Sequence, residues 1–237
     1  MTKKTVNDRL KIKIKTNKKL TESSRKWLVR QLNDPYVLKA KNEGFRSRAA
    51  FKLIEIDNKF KILKPGQTVI DLGACPGGWT QVAVARVKSQ TNPHAKVIGI
   101  DLTAMNDIPG ATLIQADFTT EEAQQQLLNL LGGEEPKVHT VLSDMAAPAC
   151  GMPSVDHTRI MLLLEEAYIF AEKVLLPGGS FVAKVLRGGT ETKLLQTLKT
   201  SFQKVTHFKP PASRKDSAEM YVVAIGFRGN KQGTGDS

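Results

Sequence analysis

Thr68-Val-Ile-Asp-Leu-Gly-Ala-Cys-Pro-Gly-Gly-Trp79 is the stretch that decides the fold of this 237-residue chain. Its mainly apolar opening, residues 68–73, predicts a buried strand, and residues 77–88 predict the helix that follows. The glycines of such a turn let backbone N–H groups approach a ligand closely, and the start of the helix favours negative groups. A strand, a glycine-rich turn and a helix in this order indicate a nucleotide-binding α/β fold.

Short apolar runs alternate with helical stretches along the rest of the chain, which is typical of a mainly parallel sheet. Further strands are predicted at residues 96–102, 112–117, 138–144, 179–186, 204–209 and 220–227. The last two resemble a hairpin with a long insertion, so the sheet is expected to be mixed at one edge. We therefore predict a Rossmann-like fold, with a mixed seven-stranded sheet and helices on both faces.

One domain is expected, at residues 21–228, with N-terminal helices inside 21–60. A basic, flexible tail (residues 1–20) and a flexible C-terminal tail (residues 229–237) are expected to flank it. The net charge is +12, and residues 1–48 hold 15 Lys and Arg against 4 Asp and Glu. Such a basic segment suits the neutralisation of RNA phosphates, although a solvated, disordered tail has the same composition. An anionic membrane surface is a weaker alternative, because the segment shows no clear apolar helix face.

No apolar run approaches the roughly 20 residues that cross a bilayer, and the N-terminus lacks the apolar core of a secretory signal. We therefore expect a cytoplasmic protein with no membrane contact. Two cysteines and four scattered histidines offer no zinc-ligand spacing, so no metal is expected.

Carboxylates come at the ends of successive predicted strands. Asp71 directly precedes the glycine-rich turn, Asp101 closes the second strand and Asp117 closes the third. A carboxylate at this edge suits a cationic ligand better than a pyrophosphate. S-adenosylmethionine, which carries a sulfonium and an ammonium group, fits this pattern. Helix capping by each Asp, and an NAD site at the turn, are the alternatives.

Two lysines and two further carboxylates are expected to gather in the same cleft. Asp144 follows the fourth predicted strand, Lys184 interrupts the apolar fifth, and Glu219 precedes the last. Lys52 lies on the predicted helix 47–60, where a solvated lysine would be the ordinary outcome. Together these groups could take a proton from a weakly acidic hydroxyl.

Five motifs of this chain resemble those of a known family. They are Ser-Arg-Ala-Ala-Phe-Lys-Leu (47–53), Asp-Leu-Gly-Ala-Cys-Pro-Gly-Gly-Trp-Thr-Gln (71–81), Leu-Ser-Asp-Met-Ala-Ala-Pro (142–148), Phe-Val-Ala-Lys-Val (181–185) and Ser-Arg-Lys-Asp-Ser-Ala-Glu-Met-Tyr (213–221). Over residues 27–227 the chain resembles the FtsJ-like (RlmE) ribosomal RNA large-subunit 2′-O-methyltransferases. The resemblance implies S-adenosylmethionine-dependent 2′-O-methylation of a ribose, on a uridine in 23S-type ribosomal RNA. It implies a catalytic tetrad of Lys52, Asp144, Lys184 and Glu219, in which we expect Lys184 to be the general base.

The glycine-rich turn and the resemblance together give the expected cofactor contacts: Asp71, Gly73, Gly77, Gly78, Trp79, Asp101, Asp117 and Asp144. Basic residues on segments expected near the catalytic edge are candidates for contacts with RNA phosphates: Arg46, Arg48, Arg187, Arg214 and Lys215. Trp27, Tyr36 and Phe45 interleave with the basic residues and could stack on bases, although core packing is the commoner use of aromatic rings.

The expected partner is the large ribosomal subunit, bound by a monomer. The same chemistry on tRNA or an mRNA cap is one alternative, because the tetrad sets the reaction and not the target RNA. The other is a non-catalytic RNA-binding ribosome assembly factor. Replacing Lys184 by alanine distinguishes a methyltransferase from an assembly factor, because only a catalytic role would be lost.

Overall fold

The computed structural model describes residues 21–133, 137–147, 150–187 and 192–229. The expected tails, residues 1–20 and all but the first residue of 229–237, lie outside these ranges. The division of the chain into one domain and two tails stays a prediction.

Seven strands of the described chain form one sheet in the order β3-β2-β1-β4-β5-β7-β6. All neighbouring strands are parallel except β7, which is antiparallel to both β5 and β6. The mixed edge predicted from the sequence is therefore confirmed. The strands are β1 (Thr68–Leu72), β2 (Lys96–Asp101), β3 (Thr112–Gln115), β4 (Val138–Ser143), β5 (Leu175–Leu186), β6 (Phe202–Phe208) and β7 (Glu219–Phe227).

Helices cover both faces of this sheet, as expected for strands that are apolar on both sides. One face packs against α3 and α4 through residues such as Leu53 and Val82, and the other packs against α5, α6 and α7. The helices are α1 (Glu22–Leu32), α2 (Pro35–Asn42), α3 (Ala49–Phe60), α4 (Gly78–Val87), α5 (Glu121–Leu131), α6 (Pro153–Val174) and α7 (Thr192–Ser201). Within the described ranges, no helix has the length and apolarity needed to cross a bilayer.

Among the differences from the sequence prediction, three concern α2, β3 and β5. The Asn-Asp-Pro-Tyr stretch at 33–36 interrupts the first helix as expected, but it also starts α2, because Asp34 caps the backbone N–H of Tyr36 and Pro35 occupies the first helical position. β3 ends at Gln115, so Asp117 lies two residues beyond the strand that it was predicted to close. β5 begins at Leu175, where its pairing with Val138 of β4 starts, rather than at residue 179.

The register of the sheet brings the predicted site residues to one edge. Leu72 of β1 pairs with Ser143 of β4, and Ser143 pairs with Ala183 of β5. The next residue in β5 is Lys184, and the residues that follow β1 and β4 are Gly73 and Asp144. The antiparallel strand β7 enters this edge from the opposite direction, so that its first residues face the end of β5.

Candidate active site

A continuous chain of polar contacts joins all four tetrad residues. Nζ of Lys52 lies 2.7 Å and 2.9 Å from the two carboxylate oxygens of Glu219. At the other end, Nζ of Lys184 lies 2.8 Å from Oδ1 of Asp144. The hydroxyl of Tyr221 connects these two pairs: it accepts a 3.3 Å hydrogen bond from Lys52 and donates a 2.7 Å bond to Oδ1 of Asp144. The structure thus assembles the four residues that the sequence predicted, and adds Tyr221.

Tyr221 is the residue of this cluster that sequence reasoning missed. It is fully buried in β7, its ring packs against Trp79, and it pairs across the sheet with Lys184. The motif at 213–221 contains Tyr221, but its position between the two ion pairs depends on the register of β7 on β5. A signal was available in the alternation of the strand, because Glu219 and Tyr221 lie two residues apart and therefore point to the same face.

Lys184 makes two hydrogen bonds to a single neighbouring residue. Besides the carboxylate contact, Nζ donates to the backbone carbonyl oxygen of Asp144 at 2.7 Å. Asp144 is itself fixed, because its backbone N–H donates to the carbonyl oxygen of Leu72 at 3.1 Å. The amine is therefore held at the carboxyl ends of β1 and β4, with 11% of its side chain exposed.

Charge and burial act in opposite directions on Asp144. Burial would raise its pKa, but the positive charges of Lys184 and Lys52 and the hydrogen bonds from Lys184 and Tyr221 outweigh burial and lower the pKa. Burial, followed by the charges of Asp144 and Glu219, raises the pKa of Tyr221 well above its ordinary value. Asp144 is thus an ionised acceptor, and Tyr221 stays a protonated donor.

Asp71 is a buried carboxyl group with unused hydrogen-bonding capacity. Its Oδ2 accepts a 2.6 Å bond from the Thr80 hydroxyl, whereas Oδ1 is buried without a hydrogen-bond partner among the described residues. Burial raises the pKa of Asp71 to about 7, although the Thr80 hydroxyl opposes this shift. A buried carboxylate oxygen without a partner is costly and is satisfied by a cationic or hydrogen-bond-donating ligand.

The glycine-rich turn fits closely around its neighbours. Gly73 and Gly77 have φ angles of +76° and +107°, which disfavour side chains. A Cβ on Gly73 would lie 2.8 Å from Cγ of Met145, and one on Gly77 would lie 2.6 Å from Cδ1 of Ile108. Gly78 begins α4, where a Cβ would collide with Oγ of Ser47. These positions require glycine because the turn packs against Met145, Ile108 and Ser47 where side chains would otherwise lie.

Asp101 connects the turn to the loop that follows β2. Its Oδ2 accepts from the N–H of Cys75 at 2.9 Å, and its Oδ1 accepts from the N–H of Thr103 at 2.8 Å. Asp117 accepts from the N–H and the hydroxyl of Thr119, and these bonds lower its pKa. Asp101 and Asp117 thus make local turn contacts and do not cap helices, because Thr120 is the N-cap residue of α5 and Gly77 that of α4.

Trp79 is placed differently from the other expected cofactor residues. Its indole is 2% exposed, and Nε1 donates to the carbonyl oxygen of Ala49 at 2.8 Å. The side chain belongs to the core between α3 and β7. Among the described residues, no group of three or more His, Cys, Asp or Glu side chains is arranged to hold a metal ion.

The basic residues expected to contact RNA fall into three groups. Arg48 and Arg214 both approach Oδ2 of the buried Asp34, at 3.2 Å and 3.4 Å. The side chain of Arg46 points elsewhere, toward the loop after β2. Two residues are exposed near the end of β5 and in the segment before β7: Arg187 and Lys215.

A cavity of about 360 Å³ opens beside the Lys52–Glu219 pair. Most of its wall is charged, and its lining comprises Arg30, Gln31, Arg48, Lys52, Arg214, Asp216, Ser217 and Glu219. The aromatic residues contribute to packing instead: Tyr36 and Phe45 each lie 5.5 Å, between ring centroids, from the buried Phe51. The side chain of Trp27 lies outside the described part of the structure.

Comparison with known proteins gives the family of this chain. The family model described as FtsJ-like methyltransferase matches residues 45–227. The chain is 57% identical over 229 residues to the ribosomal RNA large subunit methyltransferase E of Parvibaculum lavamentivorans, with 94% of this chain and 89% of that protein covered. It is 55% identical over 224 residues to the protein of the same name from Paramagnetospirillum magneticum, covering 94% and 91%.

A solved structure has the same fold. The chain crystallised from Plasmodium falciparum and described as a ribosomal RNA methyltransferase superposes with a TM-score of 0.68 at 31% sequence identity. The match covers 78% of this chain and all of that one. The family expected from the motifs and the predicted fold class are both confirmed. With its strand order, its glycine-rich turn and more than half of its length matched, the chain belongs to the FtsJ-like methyltransferase family.

Proposed function

We propose that this chain transfers the methyl group of S-adenosylmethionine to the 2′-hydroxyl of a uridine ribose in large-subunit ribosomal RNA, with Lys184 as the general base. When bound, the cofactor supplies a methyl group activated by a sulfonium. A bond forms between the ribose oxygen and the methyl carbon, the carbon–sulfur bond breaks, and S-adenosylhomocysteine leaves. The remaining task of the protein is to align the ribose hydroxyl and to take up its proton.

The hydrogen bonding of Lys184 is the observation that carries this proposal. A neutral amine has two N–H groups and one lone pair. Both N–H groups have acceptors on Asp144, the carboxylate at 2.8 Å and the backbone carbonyl at 2.7 Å. In this proposal Lys184 acts as a base only from its neutral form, whose lone pair is directed away from Asp144 and is available to the ribose hydroxyl.

Lys52 is suited to a different role. Its ammonium group has three acceptors, the two oxygens of Glu219 and the hydroxyl of Tyr221. Three acceptors match the three N–H groups of a charged lysine and leave no lone pair. Lys52 and Glu219 therefore act in this proposal as a fixed pair that orients Tyr221 and borders the cavity where the ribose enters.

The residues around the glycine-rich turn fit S-adenosylmethionine. The unpartnered Oδ1 of Asp71, at the end of β1 just before the turn, requires a donor or a cation. We assign the cofactor's ammonium group to the neighbourhood of Asp71, its ribose to Asp101 and its adenine to Asp117. Asp144, beside the base, would lie on the side of the sulfonium, and Gly78 and Trp79 would contribute through their backbone.

The relatives named as ribosomal RNA large subunit methyltransferases support the choice of RNA. Basic groups surround the cavity beside Lys52 and Glu219, so that phosphates flanking the target ribose can be neutralised there. The exposed side chains of Arg187 and Lys215 are the contacts proposed at its rim, with Arg214 on its wall. We take the acting species to be a cytoplasmic monomer.

The test is transfer of labelled methyl groups from S-adenosylmethionine to large ribosomal subunits purified from cells that lack this gene. Wild type is compared with Lys184→Ala, with Lys184→Arg, and with Lys173→Ala as a control at an exposed lysine near the opposite end of β5. We expect wild type and Lys173→Ala to yield labelled 2′-O-methyluridine after digestion. Both Lys184 variants should lose at least about 100-fold in rate, as expected for removal of a general base.

Three results would contradict parts of the proposal. An active Lys184→Arg would show that the charge of Lys184 matters and its lone pair does not. Label on a base atom would exclude ribose chemistry. Subunits that bind wild type but receive no label from it would favour the assembly factor, and label on protein-free tRNA instead of subunits would favour the other RNA substrate.

A further inference from the structure

The side chain of Arg46 points away from the RNA-facing cavity and toward the cofactor side. Its two terminal nitrogens donate to the backbone carbonyl oxygens of Asn106 and Asp107, each at 2.7 Å. A longer contact of 3.5 Å joins Nη1 to the carbonyl oxygen of Pro76 in the glycine-rich turn. One guanidinium group thus connects two loops that are separated by about 30 residues of sequence.

The loop held by Arg46, residues 102–111, joins β2 to β3 and starts directly after Asp101. Its Ile108 is 5% exposed and packs over the turn, where Cδ1 lies 2.6 Å from the position of a Cβ on Gly77. Cδ of Arg46 lies 3.0 Å from the same position. The loop, the turn and the arginine are therefore in close contact.

The backbone of Arg46 is anchored independently of its side chain. Its N–H donates to Oε1 of Gln81 on α4 at 2.8 Å, and Nε2 of the same glutamine donates to the carbonyl oxygen of Gly44 at 3.1 Å. Arg46 is thus fixed on the helix that follows the glycine-rich turn. A planar guanidinium with two parallel donors can hold the loop in one position more rigidly than an ammonium group can.

We propose that Arg46 is a positioning residue for the cofactor site and not a contact for RNA. It holds loop 102–111 against the glycine-rich turn, and so fixes Asp101, whose carboxylate bridges the same two segments through Cys75 and Thr103. This inference rests on the proposed function only in assigning the cofactor to that edge. It differs from the sequence-based expectation for Arg46, because the guanidinium is already engaged by backbone carbonyls, whereas Arg48 and Arg214 face the cavity.

The test compares Arg46→Ala and Arg46→Lys with wild type in two separate binding experiments. Calorimetric titration with S-adenosylhomocysteine, in the absence of RNA, reports on the cofactor site. Binding of labelled large subunits from cells lacking this gene, in the absence of cofactor, reports on the RNA side. Arg86→Ala is the matched control, because Arg86 also joins two elements, by a 3.0 Å ion pair to Asp57, but does not touch the loop.

We expect Arg46→Ala to weaken S-adenosylhomocysteine binding by about tenfold, the order expected for lost hydrogen bonds to a charged donor, and to change subunit binding less than about twofold. Arg46→Lys, which keeps the charge and the alkyl stem, should weaken the cofactor by a smaller factor. Arg86→Ala should leave both constants unchanged even where it lowers the melting temperature.

Weaker subunit binding with unchanged S-adenosylhomocysteine binding would overturn the proposal, and so would two unchanged constants. If Arg46→Ala does not fold, Arg46→Lys decides by the same criterion. A wild-type protein that binds S-adenosylhomocysteine but does not methylate ribose would refute the proposed function and leave the role of Arg46 intact.

Discussion

The hydroxyl of Tyr221 donates a 2.7 Å hydrogen bond to Oδ1 of Asp144, and through this bond the two lysine–carboxylate pairs become one network. Without this bond, no hydrogen bond among the described residues would connect the Lys52–Glu219 pair to the Asp144–Lys184 pair. Because Oδ1 of Asp144 also receives Lys184, the tyrosine shares the acceptor that orients the proposed base. The position of the amine therefore depends on a residue that takes no part in the proton transfer.

Replacing Tyr221 by phenylalanine should lower the methyl-transfer rate constant by about tenfold, because Asp144 loses one of the donors that hold it. The buried ring and its packing on Trp79 are kept, so the free energy of unfolding should fall by only about 1 kcal/mol. Single-turnover methylation and urea unfolding measure the two effects.

The matched control is Tyr168→Phe. Tyr168 is also buried, and its hydroxyl bonds to Ser201 and Glu172 on the face covered by α6 and α7. It should show a similar stability loss with an unchanged rate. Equal rates for Tyr221→Phe and wild type would mean that Lys184 alone suffices to orient Asp144.

The raised pKa of Asp71 predicts a pH-dependent affinity for the cofactor. Burial raises this pKa to about 7 in the free protein, so the carboxyl is mostly neutral at pH 6 and ionised at pH 8. A cationic ligand beside it should bind about tenfold more tightly at pH 8 than at pH 6, since the ionised fraction of the carboxyl rises from about one tenth to about nine tenths between these two pH values. Titration calorimetry with S-adenosylhomocysteine at several pH values measures this slope.

Asp71→Asn separates this effect from other titrations, because the amide cannot ionise and the tenfold dependence should disappear. The effect of pH on the stability of the cofactor-free protein has the opposite sign from its effect on cofactor affinity. A folded-state pKa above the unfolded value stabilises the cofactor-free protein at pH below about 4, and this stabilisation is lost as the pH rises through about 7. An identical pH slope in wild type and Asp71→Asn would show that another group controls cofactor binding.

The parallel part of the site could be predicted from sequence because its geometry follows from strand ends. Asp71, Asp101 and Asp144 each close or follow an apolar run, and the carboxyl ends of parallel strands meet at one edge. Lys184 was identifiable as a charge inside an apolar strand. For these residues, the local sequence pattern is enough to predict the place of the side chain in the fold.

Other features depended on contacts that no local pattern contains. The place of Tyr221 is set by the pairing of β7 with β5 across a long connection. Arg46 and Arg48 are two residues apart, yet their side chains reach opposite sides of the site, the loop after β2 and the segment before β7. The helix α2 was missed for a different reason, since Asp34-Pro35 is a helix-start signal that also occurs in turns.

Asp34 holds the segment that leads to Glu219, and its loss should be costly. Its side chain is 7% exposed and approaches both Arg48 and Arg214, so Asp34→Ala leaves two arginines without their carboxylate. We expect a loss of about 3 kcal/mol in the free energy of unfolding, the order found when one partner of a buried ion pair is removed. Urea unfolding measures this loss.

The same variant should raise the KM for large subunits, while S-adenosylhomocysteine binding stays within about twofold of wild type, because the segment borders only the RNA side of the site. Arg214→Leu alone and combined with Asp34→Ala completes a double-mutant cycle. Additive losses in that cycle would show that Arg214 does not depend on Asp34.

Gly77 combines a left-handed backbone with a close neighbour, and the chain offers a control that separates the two. Gly77 has a φ of +107° and would place a Cβ 2.6 Å from Cδ1 of Ile108, whereas Gly133 has a φ of +112° with no atom within 4 Å. Gly133→Ala should cost about 1–2 kcal/mol of stability from the backbone alone. Gly77→Ala should cost a further 1–3 kcal/mol, roughly, through overpacking, and should weaken S-adenosylhomocysteine binding as the loop is displaced.

A second substitution tests the steric cause directly. Ile108→Val removes the Cδ1 atom that an alanine at position 77 would meet, at a cost of about 1 kcal/mol in the otherwise unchanged protein. Combined with Gly77→Ala it should restore part of both the stability and the cofactor affinity, so that the double variant is better than the sum of the single changes predicts. Ile108 lies in the loop held by Arg46, so recovery of cofactor affinity would show that the fit of this loop against the turn controls binding. Purely additive losses would instead show that Gly77→Ala acts through the backbone of the turn itself.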